Sequence, residues 1–152
     1  MTALVRSFRT ALLLALLLPI AACQLFSPPF DPNVGNPTTQ AYQAAMQLVS
    51  EAEYGRFTEA ASFTEAAQRY AAIDAQLATA KLRAEAGDGG STRLSRRAQE
   101  LLVGQLQFCR DQLKRLAETH REEGIQPAAG QTGSVRRSCD MAARAANGMA
   151  PE

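Results

Sequence analysis

The run Phe63-Thr64-Glu65-Ala66-Ala67-Gln68-Arg69-Tyr70-Ala71-Ala72-Ile73-Asp74-Ala75-Gln76-Leu77-Ala78-Thr79-Ala80-Lys81-Leu82-Arg83-Ala84 decides the fold. Phe63, Ala66, Tyr70, Ile73, Leu77, Ala80 and Ala84 recur at alternating spacings of three and four. That period lines one side of an α-helix with apolar groups, a seam that needs partner helices. The helical reading covers about residues 57 to 86, some 45 Å at about 1.5 Å per residue. Ser62 with Glu65 suits a capping box where the helix restarts after Phe57. Gly87-Asp88-Gly89-Gly90-Ser91 then breaks the chain.

A matching seam follows the break. Leu102, Leu106, Cys109, Leu113, Leu116 and His120 fall on one stripe of a helix from about Thr92 to Glu123. Leu94 and Ala98 extend that stripe upstream, and Leu101 and Phe108 widen it. Gly124 suits the helix end, with Pro127 just beyond. Val135, Cys139, Ala142 and Ala146 mark a short fourth helix ending near Gly148. Upstream, Asn36-Pro37 reads as an N-cap followed by proline at the first helical position. Tyr42, Ala45, Met46 and Val49 give that first helix its apolar face, and Gly55 ends or kinks it. The expected fold is all-α: a small four-helix bundle, two long antiparallel helices flanked by two short ones, over residues 37–148. Gly55-Arg56-Phe57-Thr58-Glu59-Ala60 resembles the turn and second-helix start of a tetratricopeptide hairpin. The helices that follow are too long for its period of about 34 residues.

The N-terminus supplies a location. Arg6 and Arg9 precede the apolar run Ala11 to Leu18, and Pro19 leads into small residues, the layout of a cleavable export signal. The whole apolar stretch from Ala11 to Ala22 is about a dozen residues, against roughly 20 for a membrane-spanning helix. Ile20-Ala21-Ala22-Cys23 resembles the lipobox of bacterial lipoproteins. The resemblance implies removal of residues 1–22 and acylation of Cys23, leaving membrane lipid as a partner. Gln24 stands where an aspartate would favour inner-membrane retention, so an outer-membrane anchor facing the periplasm is implied. Residues 23–36 hold Pro28, Pro29 and Pro32 and read as an extended tether, with Phe26 and Phe30 as incidental aromatics or interface contacts. Residues 149–152 read as a tail.

Export also frames the cysteines. Cys109 and Cys139 lie on the apolar stripes of separate helices, and an oxidising compartment favours a disulfide between them over reactive, metal-binding or intermolecular roles. Their spacing is not CxxC, which leaves thioredoxin-like chemistry unsupported.

Charge and motifs narrow the function classes. Removing Arg6 and Arg9 from 16 basic residues leaves 14 against 15 acidic ones, so no global basic field recruits nucleic acid. No HExxH, CxxCH, GxSxG, P-loop or dinucleotide fingerprint occurs. His120 is the only histidine; its reading is a helix-terminal residue interacting with the dipole or nearby acids. No catalytic residues, metal ligands or cofactor are expected. Arg93, Arg96 and Arg97 cluster at one helix start, and Arg136 and Arg137 at another. Cations there oppose the macrodipole and call for acids, with Glu122 and Glu123 the candidates for the second pair, or for an anionic partner. The expected function is a structural or adaptor module of a cell-envelope assembly with a protein partner. The alternative is a carrier for a small apolar ligand or lipid.

Overall fold

The computed structural model describes residues 31–87, 92–127 and 130–148. The residues read as signal segment (1–22), Cys23, the stretch read as tether up to residue 30, residues 88–91, residues 128 and 129, and residues 149–152 lie outside the described residues. Four helices form: α1 Pro32–Glu53, α2 Phe63–Ala86, α3 Arg93–Glu123 and α4 Gly133–Ala146, with a 3₁₀ turn Ala60–Ser62 before α2. The chain is an all-α bundle, without strands among the described residues.

Each helix packs against its neighbour in sequence, and α4 closes the ring against α1. Side-chain ties fix the directions. Arg69 near the start of α2 grips Glu51 near the end of α1, with Nη1–Oε2 at 2.8 Å and Nη2–Oε1 at 3.0 Å. Arg83 at the other end of α2 reaches Asn33 in the first turn of α1. Arg110 of α3 forks onto Asp74 of α2 at 2.8 and 3.1 Å. Gln99 donates to the carbonyls of Ala84 and Gly87 at the far end. Thr132 and Arg136 meet Glu53, while Asn147 meets Thr39. The order is therefore up, down, up, down.

The seams close on small residues. Ala41, Ala45 and Ala52 of α1, Ala80 of α2 and Ala142 of α4 have no exposed surface. Leu48, Ile73, Leu77, Leu106 and Leu113 fill the space between them. Alanines at the crossings let backbones approach, and leucines supply the volume needed for dense packing. The Cys109 and Cys139 sulfurs are bonded at 2.01 Å, joining α3 to α4 in the core.

Three elements depart from the sequence reading. Helix α1 begins at Pro32, capped by Asp31, whose carboxylate accepts from Asn33 N at 2.8 Å. Residues 32–36, assigned to the tether, are helical, and α1 at 22 residues is nearly as long as α2 at 24. Pro37 sits inside α1 and cannot donate to the carbonyl of Asn33. The Arg83 guanidinium supplies the missing donor at 3.0 Å. Second, residues 54–59 are a turn, with Gly55 at φ 82°, rather than the start of a long helix or of a tetratricopeptide second helix. Third, Ser62 makes no capping bond to α2; its hydroxyl points to Glu59 O and His120 instead.

Candidate functional site

The largest departure from expectation lies on α3. Leu94, Leu101 and Phe108 do not join the buried stripe; they are 55%, 60% and 46% exposed. Successive members are seven residues apart, so they form one apolar line down the helix. Gly104 lies on it, and a β-carbon there would meet nothing within 4 Å.

The length of α4 explains the exposure of Leu94 and Leu101. Bonding of Cys139 to Cys109 sets the register of α4 on α3. Ala146, the last residue of α4, is seven residues beyond Cys139, about 10 Å along the helix. In an antiparallel pair that reaches the level of Leu102. Leu94 and Leu101 therefore lie past the end of α4, on a face that a longer α4 would cover. Where α4 is present, Phe108 with Ser134, Arg137, Asp140 and Met141 lines an open groove of about 320 Å³. The apolar line and this groove are continuous through Phe108.

The arginine clusters separate into different roles. Arg136 pairs with Glu53 at 2.6 Å rather than with Glu122 or Glu123. The loop after α3 crosses the bundle end, with Ile125 N bonded to Phe57 O at 2.7 Å and Gln126 Nε2 to Thr58 O at 3.1 Å. It delivers Thr132 beside Glu53 on α1, away from the α3 terminus. The hydrogen bond from Arg136 holds the Glu53 carboxyl below its usual range, so this acid offsets the cation at the α4 start. Arg137 lines the α3–α4 groove. Arg93, Arg96 and Arg97 are exposed, α3 has no acid in its first turn, and among the described residues none of the three makes an ion pair.

No family model, curated protein or solved structure matches this chain. The functional reading therefore rests on the described geometry and on the lipobox resemblance at the N-terminus.

His120 tests that reading, because its setting superficially resembles catalytic machinery. It is fully buried rather than facing the acids of its own helix end. Its Nε2 lies 2.9 Å from Ser62 Oγ and its Nδ1 3.3 Å from Tyr70 OH. Phe57 and Phe63 pack on the ring, with centroids at 5.0 and 5.5 Å. The Ser62 hydroxyl donates to Glu59 O at 2.6 Å, so its oxygen is free to accept from Nε2–H. Tyr70 OH then donates to Nδ1. One neutral tautomer satisfies the whole chain of bonds. Burial lowers the imidazole pKa and raises that of the Tyr70 phenol. The serine proton is committed to a carbonyl, so the arrangement is a structural clasp joining the α1–α2 connection to α3. Phe57 and Phe63 head two similar stretches, Phe57-Thr58-Glu59-Ala60-Ala61 and Phe63-Thr64-Glu65-Ala66-Ala67, and both rings pack on this one histidine. Among the described residues no group of three or more His, Cys, Asp or Glu side chains is placed to hold a metal.

Proposed function

We propose that this protein is a lipid-anchored, periplasm-facing module of a cell-envelope assembly. In this reading Cys23 holds the bundle to the outer membrane, and the α3–α4 face receives a protein partner. The single observation that carries the partner reading is the solvent-facing line Leu101–Gly104–Phe108, which runs into the groove beneath Met141. An exposed apolar strip with a glycine on it suits close approach of a second helix. Arg137 and Asp140 at the groove offer charges to fix register. The alanine-lined interior supports this reading over a carrier, since its seams are closed to solvent and the α3–α4 groove is open.

The test is photo-crosslinking in cells, with a photoreactive residue at Leu101, Phe108 or the exposed Glu118 of the lipidated protein. The expected result is the same envelope protein captured from Leu101 and Phe108 and not from Glu118. Phe108→Gln should reduce capture from Leu101 at least fivefold without changing the thermal midpoint by more than a few degrees. Capture of lipid alone, with a small apolar molecule co-purifying, would overturn the partner reading in favour of a carrier.

A further inference from the structure

We propose that the α2–α3 end of the bundle, carrying Leu82, Leu94, Arg93, Arg96 and Arg97, docks on an anionic phospholipid surface. This rests on the Cys23 anchor and adds an orientation: the helices stand on this end, with the His120 clasp pointing away from the membrane.

The first observation is where the anchored chain enters. Arg83, near the end of α2, bonds Asn33 in the first turn of α1, so α1 starts at this end. Asp31 is eight residues after Cys23, a reach of at most about 28 Å when extended. Helix α3, with 31 residues, is about 46 Å long. The tether therefore holds the α2–α3 end within reach of the bilayer and is shorter than the bundle it carries.

The second observation is what that end presents. Leu82 is 65% exposed, and Leu94 lies beyond the end of α4. Arg93, Arg96 and Arg97 share the first two turns of α3 with Leu94, exposed and without an ion pair among the described residues. Nearby acids are mostly engaged: Glu85 is held by Lys81 at 2.8 Å, and Asp31 caps α1. Glu100 lies a turn further along α3, and Asp88 falls outside the described residues. Exposed leucines at a basic helix end insert at an interface while the cations meet lipid phosphates. This pairing also answers the unfavourable placement of three cations at a helix start.

The chain contains no tryptophan, which allows a single-reporter test. Full-length lipidated protein carrying Leu82→Trp, Leu94→Trp or Tyr54→Trp is reconstituted into phosphatidylethanolamine–phosphatidylglycerol vesicles with a brominated lipid quencher. Tyr54 follows α1 at the opposite end and is 89% exposed. At least twofold stronger quenching at positions 82 and 94 than at 54 is expected. The difference should vanish without phosphatidylglycerol or in R93Q/R96Q/R97Q. Equal quenching at position 54 overturns the orientation, as does unquenched, blue-shifted emission at position 94, which would mean that protein covers the leucines. Flotation and the mass of the Cys23 peptide report the anchor separately. An acylated, floating protein unquenched at position 94 removes the orientation alone; an unacylated protein that does not float removes the anchor and the orientation together.

Discussion

At the residue scale, His120 shows why a single polar side chain is hard to place from sequence. Its spacing puts it on the buried stripe, but its partners Ser62 and Tyr70 come from 58 and 50 residues away, and no periodicity links them. Replacing it by alanine removes a packed ring and orphans two hydroxyls, which should cost about 3 kcal/mol in denaturant unfolding. Its titration gives a second prediction. Burial lowers the folded pKa, so near pH 6 the unfolded state binds more protons than the folded one. Stability from the neutral ring is full above about pH 6.5 and is lost as pH falls toward the lowered folded value. Denaturant titrations should therefore show wild type losing more stability between pH 7 and 5 than His120→Gln does. The half-buried carboxylate ties add their own losses only at lower pH, since Glu51 and Asp74 are held below the usual range by Arg69 and Arg110. Gly124 is the other decisive residue. It has φ 79°, and a β-carbon there would overlap the Thr58 carbonyl. Gly124→Ala should destabilise by about 3 kcal/mol or more in the same assay.

At the scale of elements, α2, the core stripe of α3 and the Cys109–Cys139 link were legible, because apolar spacing and export chemistry act locally or through few partners. The start of α1 lies five residues upstream of the Asn36-Pro37 cap that the sequence suggests, in a stretch whose prolines read as tether. Pro37 is tolerated inside the helix because Arg83 of another helix supplies the donor that a mid-helix proline lacks. The exposed line of α3 was missed for a related reason. Leu94, Leu101 and Phe108 satisfy the helical pattern as well as core residues do, but the short reach of α4 leaves Leu94 and Leu101 outside, and Phe108 faces the open α3–α4 groove. The disulfide sets that reach. Replacing both Cys109 and Cys139 by alanine should lower unfolding free energy by about 3 to 4 kcal/mol, on the chain-entropy estimate for a loop of this size. Calorimetry of the oxidised protein against the double variant measures it. Asp31→Ala should cost about 1 kcal/mol by the same method.

At the scale of the whole molecule, the two ends of the bundle and its α3–α4 side each have a distinct character. The end near residue 31 is basic and leucine-tipped, the opposite end is locked by the His120 clasp, and the α3–α4 side is open from Leu101 to Met141. An anchored stalk that offers one lateral face to a neighbour reconciles all three. Native mass spectrometry of the protein drawn in mild detergent from its own membrane tests this most directly. The account predicts a mature chain beginning at acylated Cys23, bound in fixed stoichiometry to one protein partner. An unacylated chain, or an acylated one holding only a small apolar molecule, would contradict it.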